Sequence, residues 1–285
     1  MLIRLIAFFA CLIFAAVLPS CAADKKGKIL VVVSSEHVLG LKDGKTHKTG
    51  FFMNELGVPT KTLSDAGYEI VFADPDGNAP VMDPISDSAK FFENDEQKYQ
   101  SVKKFLDGLT GLKKPHRLKE FDGKGAAQFS GVFIPGGHAP MIELWRDKSL
   151  KGILRYCHRA NVPTAMICHG PIAMLSSLSD PEGFIHDLER GAARADAAWQ
   201  YAGYRVTVFS NAEEKPNEPG GKSNMLGGYM KFYPEDALRA AGASVSVQPA
   251  GKGHIVSDRE LITGQNPSSD NELAAALIRL LEKKK

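Results

Sequence analysis

Short apolar runs alternate along this chain with longer amphipathic stretches. Predicted strands, some of them continuous apolar runs typical of strands covered on both faces, lie at residues 28–34, 68–73, 131–135, 162–167, 204–209, 244–248 and 261–263. Predicted helices lie at residues 49–66, 95–109, 150–160, 171–178, 234–241 and 270–284. The alternation predicts an α/β fold in a single domain, with a doubly wound, mostly parallel sheet that has helices on both faces.

The N-terminal segment has a different pattern. Arg4 precedes an uninterrupted apolar run at residues 5–18, and a Pro-Ser-Cys-Ala-Ala segment follows it. This pattern is typical of a secretory signal peptide, because the run is too short and wrongly flanked to span a membrane. We therefore assign residues 1–20 to a signal peptide and residues 24–285 to the folded domain, and we expect an exported protein.

Two ways of processing this leader stay open. Ordinary signal peptidase would cut after Ala22. Residues 18–21, Leu-Pro-Ser-Cys, also resemble a bacterial lipobox, in which Cys21 would be lipidated and become the mature N-terminus. The expected location is therefore the periplasm or a bacterial envelope, with a lipid at Cys21 as the one predicted contact with a membrane.

The charge balance and the number of cysteines argue against two classes of protein. The chain has 35 basic and 33 acidic residues, and removal of Arg4 with the leader leaves 34 against 33. Such a balance argues against nucleic acid as a partner. Of the four cysteines, Cys11 and Cys21 belong to the leader region, so Cys157 and Cys168 are left for the fold. Two cysteines do not make a disulfide scaffold.

Cys168 lies where a predicted strand meets a predicted helix, which is the layout of a nucleophile elbow. Gly170 permits a tight turn, Pro171 suits a first helical turn, and the helix N–H groups favour a thiolate. The alternative is a buried structural cysteine. The elbow predicts a depressed Cys168 pKa and faster alkylation than at Cys157, which lies on a predicted helix in an apolar stretch.

Polar groups also follow two other predicted strands. The Gly136-Gly137-His138 turn would let backbone N–H groups approach a ligand and, with the amide of His169, form an oxyanion hole. The alternative is a plain tight turn. Residues 211–214, Asn-Ala-Glu-Glu, follow the next strand, and adjacent acids there usually cap a helix.

A single carboxyl, that of Glu55, lies among apolar residues in the first predicted helix. Apolar surroundings would raise its pKa and let it donate a proton or a hydrogen bond to a thiolate. The alternative is a surface acid on an amphipathic helix. The sequence has no dinucleotide fingerprint after the first strand, no complete P-loop and no H-E-x-x-H motif, so we expect no cofactor.

Three ordered motifs now add up to a resemblance. The chain resembles the ThiJ/PfpI superfamily, which has the class I glutamine amidotransferase-like fold, and is most similar to its glyoxalase III/holding-chaperone branch. The similarity runs from about residue 28 to the C-terminus, and it implies a flavodoxin-like sheet sandwiched by helices and a homodimer. It rests on F-I-P-G-G-H at residues 133–138, I-C-H-G-P at residues 167–171 and L-I-T-G-Q-N-P at residues 261–267.

The resemblance also implies roles for site residues. Cys168 would be the nucleophile and His169 its base. Glu55, which follows a Thr-Gly step, would support the thiolate. Glu214 would orient His169, with Glu213 as the near alternative.

Two departures from the superfamily bear on function. Some members bind a metal through histidines that follow the first-helix glutamate, but residues 56–63 contain no histidine, so we expect no metal. The downstream H-x-E of the glutamine amidotransferases is also missing from the sequence.

The expected function is that of a cofactor-independent cysteine enzyme, which converts 2-oxoaldehydes such as methylglyoxal to 2-hydroxy acids or removes sugar-derived adducts from proteins. Its expected partner is a small reactive carbonyl compound or a glycated protein. The alternatives are an amidase or peptidase with the same Cys-His-Glu set and an exported holding chaperone in which Cys168 senses oxidation. A narrow pocket at Cys168 favours small substrates, whereas a broad exposed apolar patch favours the chaperone.

Overall fold

The computed structural model describes residues 25–284. The predicted signal peptide, its two processing sites and Cys21 lie outside the described residues. Between residues 25 and 284, no helix combines the length and the apolar character needed to cross a membrane.

The strands of the described chain are short, at two to six residues each. In chain order they are β1 (Lys28–Val32), β2 (Val38–Gly40), β3 (Thr46–Lys48), β4 (Glu69–Asp74), β5 (His116–Arg117), β6 (Gly131–Ile134), β7 (Thr164–Ile167), β8 (Arg205–Val206), β9 (Ser244–Val245), β10 (Ile255–Asp258) and β11 (Leu261–Gly264).

The α-helices alternate with these strands. They are α1 (Met53–Asp65), α2 (Glu96–Gly108), α3 (Thr110–Lys113), α4 (Pro140–Glu143), α5 (Lys148–Ala160), α6 (Pro181–Glu189), α7 (Asn211–Glu214), α8 (Pro234–Ala241) and α9 (Asp270–Glu282). Short 3₁₀ helices occupy Pro84–Ser86, Ala89–Phe92, Leu118–Phe121, Gly123–Gln128, Leu144–Arg146, Gly170–Ser177, Lys215–Asn217 and Pro267–Ser269.

Seven strands form the central sheet in the order β10-β11-β7-β6-β1-β4-β5. All neighbours in it are parallel except β10 and β11. β2 and β3 form a separate antiparallel pair, and β8 and β9 a separate parallel one. The predicted α/β class, with a mostly parallel doubly wound sheet, is confirmed.

The core lies on both faces of the sheet, as the continuous apolar strands require. Successive side chains of a strand point to opposite faces. Ile29 and Val31 of β1 therefore pack in the layer that contains α1, α2 and α9. Leu30 and Val32 pack in the opposite layer, with α5 and the 3₁₀ helix Gly170–Ser177. Full burial of each such aliphatic side chain stabilises the fold by about 1.5–3 kcal/mol.

The first helix starts later than the sequence predicts. The segment before Met53 is held in an extended conformation by the loop that follows β4. The N–H of Phe51 donates to the carbonyl of Val81 at 2.9 Å, and the Thr49 hydroxyl donates to Asp83 Oδ2 at 2.9 Å. These long-range hydrogen bonds keep residues 49–52 out of the helix, which begins at Met53.

The predicted strand at residues 204–209 is also different in the structure. Only Arg205–Val206 forms a strand, and it pairs with β9 instead of joining the central sheet. Its continuation is bonded to the sheet at two points. Thr207 N–H donates to Thr263 Oγ1 at 2.8 Å, and Phe209 N–H donates to the carbonyl of Cys168 at 2.9 Å. The residues that follow β8 are thereby brought to the carboxyl end of β7.

Candidate active site

Cys168 follows β7 directly and has a left-handed backbone, with φ of 60°. Such a conformation is uncommon for a residue other than glycine and is typical of functional sites. Cys168 is held from both sides, since its N–H donates to the carbonyl of Gly264 and its carbonyl accepts from Phe209. Gly170 is required for packing, because a Cβ there would lie 2.6 Å from the carbonyl oxygen of Ile134.

Three side chains from two segments form a continuous hydrogen-bonded chain. Cys168 Sγ lies 3.3 Å from His169 Nδ1, and His169 Nε2 lies 2.6 Å from Glu214 Oε2. All three residues are buried. Burial disfavours the charged form of Glu214, but the attraction and hydrogen bonds of His138 and His169 outweigh burial and hold its pKa well below its usual range.

The ionised Glu214 fixes the state of His169. A carboxylate only accepts hydrogen bonds, so His169 donates from Nε2 and presents the lone pair of Nδ1 to the sulfur. Burial, with His138 nearby, lowers the pKa of His169 and favours its neutral form. A neutral ring with a free Nδ1 can take the proton of the Cys168 thiol.

His138 has a position that the sequence does not reveal. Its Nε2 lies 2.9 Å from Glu214 Oε1, so both oxygens of that carboxylate accept from imidazoles. The His138 and His169 rings have centroids 4.2 Å apart. Burial alone would lower the pKa of His138, but the Glu214 carboxylate more than compensates and raises it. The His138 imidazole thus belongs to the Glu214 network, and only its backbone belongs to the predicted oxyanion turn.

Glu55 lies beside the thiol and is fully buried, so the alternative of a surface acid is wrong. Burial raises its carboxyl pKa well above the ordinary value, and interactions with the Cys168 thiol and the Gly137 N–H lower it only in part. Among residues 25–284, neither carboxyl oxygen has another hydrogen-bond partner. This is the environment in which a carboxyl retains a proton near neutral pH.

The predicted depression of the Cys168 pKa is wrong. Burial raises the thiol pKa well above its ordinary value, and the negative charge of Glu55 raises it further. The Gly137 N–H has the opposite but smaller effect. The elbow helix, Gly170–Ser177, is also a 3₁₀ helix and not an α-helix. Cys168 and Glu55 therefore titrate as a coupled pair, because ionisation of either group makes ionisation of the other less favourable.

The two glycines of the predicted oxyanion turn differ in position. Gly136 borders both Glu55 and Cys168, and a Cβ there would overlap both the Glu55 carboxyl and the Cys168 side chain. Gly137 has φ of 86°, and its N–H acts on both Glu55 and Cys168. Gly137 and His138 line the adjacent cavity, whereas Gly136 does not. The oxyanion hole itself stays a prediction.

The two adjacent glutamates, Glu213 and Glu214, make different contacts in the structure. Glu214 contacts His169, whereas Glu213 caps α7 through Ser210 and accepts hydrogen bonds from Gln265 and Asn266 at 2.8 and 2.7 Å. The Gln-Asn part of the third motif therefore anchors the segment that carries Glu214. Glu213 is held in a structural position.

A cavity of about 570 Å³ opens above the sulfur. Aromatic and thioether side chains that the sequence did not single out form much of its wall, with Lys90 at the margin. The Phe209 ring lies 4.6 Å from that of His169, and Phe52 contacts Phe91 edge to face at 4.7 Å. Phe209 ends a predicted strand, which is the one sequence signal for any of them. The apolar wall consists mainly of Phe52, Ile85, Phe91, Phe209 and Met225.

Two groups of described side chains could hold a metal ion. One group is His138, His169 and Glu214, which is the hydrogen-bonded network itself. The other is His47, Asp83 and His138. The expectation that the chain binds no metal rested on residues 56–63, and neither group lies there.

Comparisons with known proteins found a family model and relatives that are similar to this chain. A family model described as ThiJ/PfpI family-like matches residues 47–193. A Staphylococcus aureus protein named protein/nucleic acid deglycase HchA is 27% identical over 257 residues, which cover 88% of this chain and 78% of the relative.

Two solved structures share the fold. Glyoxalase III from Candida albicans superposes with a TM-score of 0.61 at 20% identity, covering 90% of this chain and 97% of the other. The Rapid Encystment Protein of Francisella tularensis superposes with a TM-score of 0.63 at 24% identity, covering 90% and 99%.

Proposed function

The chain belongs to the ThiJ/PfpI family, and from that premise we propose that it is a cysteine enzyme that acts on 2-oxoaldehydes and on the adducts they form with proteins. The observation that carries the proposal is the 3.3 Å approach of Cys168 Sγ to His169 Nδ1, with Glu214 behind the imidazole and Glu55 beside the sulfur. The names of the S. aureus deglycase and the C. albicans glyoxalase III support the same class.

The proposed reaction starts at the sulfur. His169 takes the thiol proton, and Sγ bonds to the aldehyde carbon of the substrate. The oxygen of that carbon becomes an oxyanion, which the Gly137 and His169 amides hold until protonation gives a hemithioacetal. His169 and Glu55 then move one proton from the former aldehyde carbon to its neighbour, while the hydroxyl proton passes to the oxygen of that neighbour, and a thioester of the 2-hydroxy acid results. Water cleaves the thioester, so that a 2-hydroxy acid leaves and the thiol is restored.

The raised pKa of Glu55 fits this proton transfer. A carboxyl that keeps its proton near neutral pH can donate it, and the resulting carboxylate can take one back. The position of Glu55 beside the sulfur also keeps it close to any carbon bonded to Sγ. Glu55 is therefore proposed as the group that shuttles the proton, with His169 as its partner.

The cavity favours a substrate larger than methylglyoxal. Its volume of about 570 Å³ lies within the roughly 300–1,000 Å³ range of pockets that enclose drug-sized ligands. The wall next to the sulfur is apolar, with Phe52, Phe91 and Phe209 on it. An aromatic 2-oxoaldehyde, or an adduct carried on a protein side chain, would fill more of this space than a three-carbon compound.

The holding-chaperone alternative has less support. Among residues 25–284 the large apolar side chains that are exposed are Val38, Val81, Ile85 and Tyr229, and of these only Ile85 lines the cavity. A holding surface needs a broad contiguous apolar patch. The amidase or peptidase alternative uses the same three residues and differs only in substrate.

An assay of purified protein separates these functions. We expect loss of methylglyoxal and phenylglyoxal with formation of the matching 2-hydroxy acids, and a higher kcat/KM for phenylglyoxal. A glycated peptide and a simple peptide amide distinguish the deglycase and amidase activities in the same experiment. Failure of the protein to convert any carbonyl substrate would contradict the proposal.

We further propose that the protein is exported, is a homodimer and does not bind nucleic acid. Export rests on residues 1–20, and the charge balance argues against nucleic acid, although the S. aureus relative is named for both protein and nucleic acid. N-terminal sequencing of the mature protein, with a lipid-labelling assay at Cys21, distinguishes the two cleavage routes. Sedimentation analysis, alone and with added DNA, tests the other two expectations.

A further inference from the structure

The margin of the cavity above Cys168 carries a positive charge that the proposed reaction does not use. Lys90 is the one lysine or arginine among the described residues that line this cavity, and it is exposed. We propose that Lys90 forms a subsite for an anionic group of the substrate, such as a carboxylate, that lies away from the reacting aldehyde. This inference rests on the proposed function and narrows its substrates to 2-oxoaldehydes, or adducts, that carry a negative charge.

The Lys90 ammonium is available to a ligand. It makes no hydrogen bond or ion pair with a carboxylate anywhere between residues 25 and 284. The acids that flank it in the chain are paired with other lysines. Asp87 contacts Lys103 Nζ at 2.7 Å, and Glu93 contacts Lys98 Nζ at 3.8 Å. An incoming anion would therefore not have to displace an internal partner.

The acidic residue of the cavity wall is committed to the fold. Among the described lining residues this is Glu213. Its Oε2 accepts from the Ser210 hydroxyl at 2.7 Å and from Gln265 at 2.8 Å, and its Oε1 accepts from Asn266 at 2.7 Å. A carboxylate has about four lone-pair sites, and internal donors occupy most of them here. Lys90 is thus the charged side chain of this wall that is free to bind a substrate.

An aromatic wall connects Lys90 with the reacting sulfur. The Lys90 ammonium lies 5.5 Å from the centroid of the Phe91 ring, and that ring packs edge to face on Phe52. The Phe52 N–H donates to the carbonyl of Gly136 at 3.2 Å, and Gly136 borders Cys168. A ring-containing substrate bonded to Sγ would lie along this wall with its far end towards the ammonium. Ligand pockets commonly combine an apolar wall with a few polar groups that fix orientation.

The expected preference is moderate and depends on salt. Lys90 is exposed, so water and dissolved ions screen its charge. We expect a preference of about fivefold for an anionic substrate over a neutral one of the same shape at low ionic strength. This preference should shrink as NaCl is added, because the Debye length falls to about 8 Å at physiological ionic strength.

The kinetic test compares 4-carboxyphenylglyoxal with 4-carbamoylphenylglyoxal, which have nearly the same shape and differ in charge. The ratio of their kcat/KM values should fall about fivefold in Lys90→Gln and be retained in Lys90→Arg. Because both rates are measured on one preparation of each variant, a partial loss of folded protein cancels from the ratio. Lys104→Gln is the matched control, since Lys104 is exposed on α2 and is absent from the cavity wall.

The anion could belong to a small substrate or to a glycated protein, and a second pair of substrates distinguishes these sources. Two peptides carry a methylglyoxal adduct beside either an aspartate or an asparagine. A preference that depends on Lys90 and is confined to the aldehydes assigns the anion to a small molecule, and one confined to the peptides assigns it to a protein. Its absence from both pairs, or an equal change in Lys104→Gln, would overturn the proposal.

Binding of unreactive analogues separates this proposal from the proposed reaction. 4-Acetylbenzoate and 4-acetylbenzamide lack the aldehyde, and NMR titration gives their dissociation constants with the full chain. We expect tighter binding of the benzoate in wild type and Lys90→Arg, and equal binding of the two compounds in Lys90→Gln. This result would support the subsite even in a protein that converts no carbonyl compound. Conversion of phenylglyoxal without any preference that depends on Lys90 would overturn the subsite and leave the proposed function intact.

Discussion

Two Cys-His pairs of this molecule share a sequence and differ in what they can do. In both, the histidine contacts a buried glutamate. His169 contacts Glu214, and His158 Nδ1 lies 3.0 Å from Glu260 Oε1. Both cysteines are almost inaccessible, and burial raises both thiol pKa values, that of Cys157 to about 12. Neither the dipeptide nor its glutamate is therefore enough to make a reactive site.

Backbone conformation separates the two pairs. Cys157 and His158 lie within α5, where consecutive side chains point to different faces of the helix. Cys157 accordingly packs in the core while His158 reaches the half-buried surface. The left-handed φ of Cys168 places its sulfur against the imidazole of the next residue and at a cavity. One unusual backbone angle thus distinguishes a candidate nucleophile from a structural thiol.

Replacement of each cysteine by serine should produce the largest difference in activity between the two Cys-His pairs. Cys168→Ser should lower turnover of a 2-oxoaldehyde by about 10³-fold or more, because a serine hydroxyl is a far weaker nucleophile in this setting. Cys157→Ser should leave kcat/KM near the wild-type value, since Cys157 is buried away from the cavity. Circular dichroism on both variants controls for folding. Similar losses of activity in the two variants would contradict the assignment.

The two glutamates provide the next contrast. Glu214→Gln should reduce kcat by about 10³-fold, because the amide no longer selects the His169 tautomer that accepts the thiol proton. Glu260→Gln is the matched change at the other pair and should leave kcat unchanged. Both variants should lose stability, so kcat must be expressed per folded molecule. A normal kcat for Glu214→Gln would show that Glu214 supports the fold and not the reaction.

Glu214 also makes stability depend on pH in a defined direction. Its pKa is depressed in the folded protein, so its contribution is complete above the unfolded value of about 4.3 and is lost as the pH falls towards the lower folded value. Urea midpoints measured from pH 7 down to pH 3 should fall more steeply for wild type than for Glu214→Gln. Parallel curves would show that the carboxylate is not the group responsible.

Glu55 should give two effects of opposite sign. Glu55→Gln should lower kcat by about a hundredfold, since the amide cannot carry the proton between the two carbons. At alkaline pH, where the Glu55 carboxyl loses its proton, the same change removes the negative charge that raises the Cys168 pKa, so alkylation by iodoacetamide should become faster there. A structural role for Glu55 would not speed alkylation while slowing turnover. A variant with unchanged kcat would exclude Glu55 from the reaction.

The sequence predicts the parts of this site that local pattern determines. Apolar runs predict β6 and β7, and their carboxyl ends place the Gly136-Gly137 turn and Cys168 at one edge of the sheet. These predictions succeed because strand periodicity and parallel pairing fix which chain ends meet.

The features that the sequence does not predict depend on contacts between segments that are far apart in the chain. The bond between His138 and Glu214 joins residues 76 positions apart, and no periodicity encodes it. The departure of β8 from the central sheet likewise depends on its pairing with β9. The Cys168 pKa was mispredicted because the helix N-terminus was visible in the sequence, whereas the stronger effects of burial and Glu55 emerge only on folding.

The smallest effect on turnover should come from Tyr204, whose hydroxyl contacts His158 Nδ1 at 2.9 Å and Glu260 Oε2 at 3.0 Å. Tyr204→Phe leaves Glu260 buried with one partner fewer, which should cost about 1–3 kcal/mol of unfolding free energy and lower the melting temperature by about 3–10 °C. The kcat for a 2-oxoaldehyde should be unchanged, because this network supports the fold at the end of α5 away from the cavity. Calorimetry and kinetics on one preparation test both statements. A tenfold loss of kcat would mean that the two Cys-His pairs are coupled, and the distinction between a reactive and a structural pair would then fail.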